Sequence, residues 1–137
     1  MGDQIRRVDY FYAMLPDQPG EGARVLETFK EAGVNLISLT AFPTGGGKSQ
    51  VDFVPENPDL LLKAAKKAGI TLSEKKTAFF IQGKDRPGAV AEALRRLAGA
   101  GVNVHATNAA CGGGGGYGMI VWVKPADLKA AAKALGV

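Results

Sequence analysis

A chain of 137 residues and 14.2 kDa has room for one ordinary domain or two very small ones, which excludes multidomain machinery. Hydrophobic residues at 46% and charged residues at 22% match packed globular proteins and exclude a disordered chain. No apolar run reaches the ~20 residues of a membrane helix, and Met1 to Arg7 lacks the apolar core of a secretory signal. The net charge of +4 comes from scattered Lys and Arg rather than a block, and one cysteine, Cys111, with one histidine, His105, supports neither a disulfide framework nor a structural zinc site.

In chain order, residues 8–14 (Val-Asp-Tyr-Phe-Tyr-Ala-Met) predict a strand that stops at Pro16-Asp17. Pro19 suits the first position of a helix, where its missing N–H costs nothing, and Val25, Leu26, Phe29 and Ala32 form the apolar stripe of that helix. Gly33 is a left-handed cap, after which residues 34–42 and 50–54 predict a hairpin around Gly45 to Gly47. Pro58 opens a second helix with Leu61, Ala64, Ala65 and Ala68 on one face, Gly69 ends it, and residues 70–73 predict a short strand. The order then begins again: strand 77–82, a helix bearing Val90, Leu94 and Leu97, strand 102–110, a glycine turn at 112–116, strand 117–123 and a helix after Pro125.

This recurrence is a duplication. Asp17-Gln-Pro19-Gly20 returns as Asp85-Arg-Pro87-Gly88, and Ala32-Gly33-Val34-Asn35 as Ala100-Gly101-Val102-Asn103, both at an offset of 68 residues. Phe11 falls on Phe79, Leu26 on Leu94, and Gly45 to Gly47 on Gly113 to Gly115. The order βαββαβ is the ferredoxin-like arrangement, so the expected class is α+β: two tandem ferredoxin-like units, residues 1–74 and 75–137. The second unit lacks its final strand, because Gly69 lands on Val137 and residues 70–73 have no counterpart. Either 70–73 pairs across Glu74-Lys-Lys76 to join the two sheets, or another chain supplies the missing strand, since bare edges are usually avoided. Strand two has apolar residues on both of its sides, Ile37 and Leu39 against Val34 and Leu36, and a second subunit is the simplest cover for the face away from the helices.

Both halves run from a strand through Asp-x-Pro-Gly into a helix, and a helix N-terminus offers free N–H groups and partial positive charge to small anions. The asparagines Asn35 and Asn103 open the second strand of each half, and an amide both donates and accepts. An α-amino acid needs donors for its carboxylate, from Gly20, Gly88, Asn35 and Asn103, and oxygens for its ammonium, from Asp17 and Asp85. On these pieces, each at its place in βαββαβ, the sequence resembles tandem ACT-domain proteins. The resemblance covers most of the chain and implies domains that pair side by side and bind an amino acid at the shared interface. Carried over, the ligand-binding positions are Asp17, Gly20 and Asn35, then Asp85, Gly88 and Asn103. Glu21 places a negative charge beside the first carboxylate site, which favours the second half as the binder.

Other readings are weaker. Gly45-Gly-Gly47-Lys48-Ser49 looks like the tail of a phosphate-binding loop, but Phe42 stands where that motif needs glycine and a strand follows the serine. RNA recognition is the alternative function, because Gly116 to Trp122 approximates the aromatic motif of an RNA-binding sheet, with Phe79, Phe80 and Tyr117 as the stacking residues. His105 shares a strand side with Asn103 and Thr107, which would let it line the same site, but the sequence favours an ordinary partly buried histidine there, and nothing near Cys111 lowers its pKa. Neither half matches a histidine or cysteine to its repeat, so no catalytic residue is expected. The sequence therefore predicts a non-enzymatic, cytoplasmic regulatory or sensor protein. It binds an amino acid or similar small carboxylate between ACT-like units, forms a homodimer and acts on a regulated enzyme. No metal, cofactor, membrane or nucleic-acid partner is expected.

Overall fold

Thirteen residues, Gln4–Pro16, form the first strand, β1, which reaches four residues further toward the N-terminus than the aromatic run predicts. The computed structural model describes residues 2–137. After β1 come α1 (Glu21–Glu31), β2 (Leu36–Gly45), β3 (Lys48–Pro55) and α2 (Pro58–Ala68). Next are β4 (Lys76–Lys84), α3 (Ala89–Gly99), β5 (Val104–Gly113) and β6 (Gly116–Val123). A 3-10 turn over Pro125–Asp127 then leads into α4 (Leu128–Leu135). The fold is α+β and consists of two ferredoxin-like repeats. The chain divides into two compact units, residues 9–76, and residues 1–8 together with 77–137. Segment 1–8, which a boundary at 74/75 assigns to the first half, groups with the second.

In the unit of residues 9–76, β3 lies between β2 and β1, with Phe53 opposite Phe11 on one side and Leu39 on the other. Alternation along β1 and β3 sends Phe11, Ala13, Leu15, Val51 and Phe53 to one face, where Val25 and Phe29 of α1 and Leu61, Ala64 and Ala65 of α2 cover them. The Phe29 and Phe53 rings meet edge to face, centroids 5.2 Å apart. Asn57 caps α2 by accepting the Leu60 N–H at 3.2 Å, with Pro58 just inside the helix as its fixed φ favours. Residues 70–73 form no regular strand. Ile70 and Leu72 pack on the core, and the Ser73 amide donates to the Tyr12 carbonyl at 2.8 Å, so the segment takes a fourth-strand place with minimal pairing.

In the other unit the neighbours run β1, β4, β6, β5. Here the fourth-strand position belongs to the N-terminal part of β1. The second repeat's missing strand is thus supplied by residues 4–8 of the same chain, in place of either expected solution. Phe79, Ile81, Tyr117, Met119, Val121 and Val123 face α3 and α4, which contribute Ala89, Ala93, Leu97, Ala131, Ala132 and Leu135. Away from the helices, Val8, Ala78, Ile120 and Trp122, and Val54 of the first unit, are buried in the single chain, so these positions do not require a second subunit. Leu39 and Phe42 of β2 are each 43% exposed.

Phe29 fills the centre of its unit, so Phe29→Ala should cost about 3–5 kcal/mol through lost transfer energy and a cavity that a sheet cannot close. Urea unfolding followed by circular dichroism measures this, and a loss below about 1 kcal/mol is incompatible with the packing described.

Candidate functional site

Each helix mouth is built by the same three devices. At Gly20 the backbone is left-handed, φ 90°, and at Gly88 it is φ 86°, a conformation that only glycine adopts without strain. Pro19 therefore belongs to the turn before α1 rather than to its first residue, since Gly20 is the N-cap and the helix begins at Glu21. The strand end is tied to the hairpin turn of its own unit: the Asp17 amide donates to the Gly47 carbonyl, and the Asp85 amide to that of Gly115, both at 2.8 Å. Inside the mouth, Glu21 N–H reaches Gln18 O at 3.3 Å and Arg24 N–H reaches Gly20 O at 2.9 Å. Among the described residues this leaves the Gly22 and Ala23 amides without a backbone acceptor. In α3 the Ala89 and Glu92 amides are taken in the same way, leaving those of Val90 and Ala91.

The asparagines lie elsewhere. Asn35 sits at the start of β2, its Nδ2 donating to the Glu56 carboxylate just beyond β3, while the Glu56 amide donates to the Asn35 carbonyl at 2.9 Å. Asp17, by contrast, accepts at Oδ1 from Ser49 Oγ at 2.8 Å, at the other end of β3. Eight residues of β3 separate these ends, about 25 Å at the rise of a strand. Each unit therefore brings Asp17 together with Gly20, or Asp85 with Gly88, but not with its asparagine. Asn103 is exposed, and Lys124 holds the position that Glu56 holds in the first repeat. Glu21, the expected obstacle to an anion, is paired with Arg24 at 3.1 Å.

The residues that sequence reasoning missed surround Arg86, the variable residue of Asp85-Arg-Pro87-Gly88. Its Nη1 and Nη2 donate to Asp3 Oδ1 and Oδ2 at 3.1 and 3.2 Å, Nη1 also to the Lys84 carbonyl at 2.8 Å, and Nη2 to Glu92 Oε2 at 2.5 Å. Tyr117 OH donates to Asp3 Oδ2 at 2.8 Å, and the guanidinium lies 5.9 Å from the Tyr117 ring centroid. Arg86 holds the Asp3 carboxyl below its ordinary range against a smaller opposing effect of burial, with Tyr117 adding to the lowering. Tyr117 is pushed up to about 12, first by burial and then by its bond to Asp3. Arg86 was visible in the motif, but Asp3 lies 83 residues away and no local signal links them.

The aromatic positions do not form a stacking platform. Phe79 and Tyr117 point into the helix-side core, Tyr117 at 6% exposure, because the two-residue period puts them on the same face as Ile81 and Met119. Phe80 faces the other way, half-buried, with Arg6 5.4 Å from its ring centroid. His105 is exposed on β5 and Thr107 donates to the Ile120 carbonyl at 2.7 Å. Cys111 is exposed, and a hydrogen bond with Asp85 raises its pKa. No helix of the described residues is long and apolar enough to cross a membrane.

The sequence matches no family model, and no curated protein matches it closely. Solved structures do match over nearly the whole chain. Protein BT0572 from Bacteroides thetaiotaomicron superposes with a TM-score of 0.79 at 18% identity, over 97% of this chain and 91% of that one. The ligand-free regulatory subunit of aspartate kinase from Thermus thermophilus gives 0.67 at 18% identity, over 99% and 95%. Its counterpart from Thermus flavus gives 0.64, again at 18% and over 99% and 95%. The chain shares with these structures the fold of two tandem ferredoxin-like repeats that the sequence resemblance implies.

One buried carboxyl lies outside these clusters. Asp52, 7% exposed on the face of β3 away from the helices, accepts from Gln50 Nε2 at 2.9 Å. Burial raises its pKa, against smaller lowering effects of Gln50 and Lys76. A raised carboxyl penalises the ionised folded state, and the penalty grows as pH rises from the unfolded value of 3.8 through the folded one. Asp52→Asn, which keeps an acceptor for Gln50, should therefore raise the melting temperature at neutral pH. The gain should shrink to nothing as the pH falls below the unfolded value, a trend that thermal melts across pH will show or refute.

Proposed function

We propose that this chain is a non-enzymatic regulatory protein that binds an amino acid or a similar small carboxylate at its helix mouths and reports occupancy to another protein or through assembly. The observation that carries this reading is the repetition of one mouth in both units. The two left-handed glycines, the two amide bonds at 2.8 Å and the two pairs of unclaimed amides agree, although most surrounding side chains differ. Backbone donors held at a helix N-terminus suit a carboxylate and impose little demand on its side chain. The likeness to regulatory subunits of aspartate kinase supports the same reading.

The mouth supplies the donors, and Asp17 or Asp85 beside it supplies oxygen for an ammonium group. An asparagine of the same unit lies too far away to share that ligand, so Asn35 or Asn103 meets it only when a helix mouth from outside its own unit contributes the other half of the site. Binding then favours the assembled state by its differential affinity for it, which is the whole of what a ligand contributes to a switch. Lys124 near Asn103 suits a carboxylate, whereas Glu56 already occupies the Asn35 amide, so the second repeat's asparagine is the better donor.

Thermal-shift measurements against the twenty amino acids test this. A specific binder at about a hundredfold over its Kd should add roughly 2.7 kcal/mol to stability. Asn103→Ala should abolish that gain while changing the unliganded stability by less than about 0.5 kcal/mol, as expected for an exposed side chain. A shift retained in full by Asn103→Ala removes that residue from the site, and no shift with any amino acid overturns the reading.

A further inference from the structure

The Asp3 cluster carries an inference independent of the helix mouths. A guanidinium that meets a carboxylate through both Nη atoms, with a phenol donating to one of the same oxygens, is the donor set that proteins use for carboxylate ligands. The Arg86 side chain is fixed without help from Asp3, because Lys84 O and Glu92 Oε2 each hold one of its nitrogens. Room for the carboxylate comes from Gly83: a Cβ there would stand 2.0 Å from Asp3 Oδ1 and 2.9 Å from Asp3 Cγ. The Asp3 side chain is itself nine-tenths buried, at 10% exposure. None of this belongs to the repeat, since the positions equivalent to Gly83, Arg86 and Tyr117 are Leu15, Gln18 and Ser49.

We infer that Gly83, Arg86 and Tyr117 form a second carboxylate-binding site, separate from the duplicated mouths, and that Asp3 is its tethered occupant. Residues 4–8 complete the sheet of this unit, so the docking of that strand and the occupancy of the site are one equilibrium. A tethered carboxylate acts at a high effective concentration, which keeps free carboxylates out while the strand is docked. When Asp3 withdraws, a prearranged fork, a phenol and an open cradle remain for a small carboxylate to fill. By linkage, a carboxylate bound there opposes redocking by as much as the strand opposes its binding.

The test is a titration of Asp3→Ala with sodium acetate against sodium chloride at matched ionic strength, read by thermal unfolding. Acetate should raise the midpoint of Asp3→Ala saturably and beyond the effect of chloride, and by clearly more than it moves the unsubstituted chain over the same range. Adding Arg86→Gln should weaken the response about ten- to a hundredfold, the loss expected for charge-assisted hydrogen bonds. Adding Gly83→Ala, which fills the cradle, should remove it. Should Asp3→Ala be unfolded, the titration is read as recovery of the folded circular dichroism signal. Acetate acting no differently from chloride, or acting equally on Asp3→Ala with Arg86→Gln, overturns the inference. Neither result bears on amino-acid binding at Gly20 and Gly88, which the unsubstituted chain tests alone.

Discussion

One backbone hydrogen bond, made twice, sets the geometry on which the rest depends. The amide of the aspartate that ends each first strand donates to the last glycine carbonyl of the hairpin turn in the same unit. That bond fixes where the strand stops, and the left-handed glycine three residues later turns the chain so that a helix starts there. The helix then runs away from the turn and carries its first-turn amides at the end where strand and hairpin meet. Without the tie the mouth would be an ordinary loop, and its amides would have no fixed direction in which to face an anion.

The two copies have diverged in what surrounds this shared frame. In the unit of residues 9–76 the mouth is polar and local: Ser49 bonds Asp17, Arg24 pairs with Glu21, and the fourth-strand place is filled by the short segment 70–73 with one side-chain and one backbone bond to Tyr12. In the other unit Arg86 draws in a carboxylate from residue 3, and the fourth-strand place is filled by the start of the chain. Charge has diverged as well. Residues 9–76 hold eight Lys and Arg against nine Asp and Glu, whereas residues 1–8 with 77–137 hold nine against four. The net positive charge, scattered along the sequence, therefore resides in one unit, which gives that unit the stronger long-range attraction for anions.

The pattern of legibility follows from range. Periodicity, caps and glycine turns act within a few residues, so the helices, the hairpins, the left-handed Gly33 and the helix stop at Gly69 could be read from the chain. Pro19 stands two residues before the first helical position, because Pro-Gly fits both that position and the turn before it, and only the φ of Gly20 decides between them. Strand completion could not be read, because the partner of the last strand position is Gln4–Val8, at the other end of the chain. Asp3 with Arg86, and Asn35 with Glu56, are likewise products of tertiary placement. The aromatic residues show the reverse error. Tyr117 resembles a stacking residue by motif, but the parity of its position on β6 sends it to the helix side, where a buried phenol must find a partner and takes Asp3.

Parity and length together also limit what one unit can do for a ligand. A βαββαβ repeat puts its helix mouth and its hairpin turn at one end and the start of its second strand at the other, because each connection reverses the chain once. An amino acid spans only a few ångströms between carboxylate and ammonium, far less than the length of β3 that separates Asp17 from Asn35. Under the proposed amino-acid binding, a repeat of this kind would therefore offer two half-sites rather than one site. The first asparagine has settled its half locally by bonding Glu56, whereas Asn103, with Lys124 in the equivalent place, has not. Duplication preserved both mouths and left the opposite ends free to diverge, which is the arrangement expected if the mouths carry the shared chemistry and the asparagine ends set which contacts can be made to it.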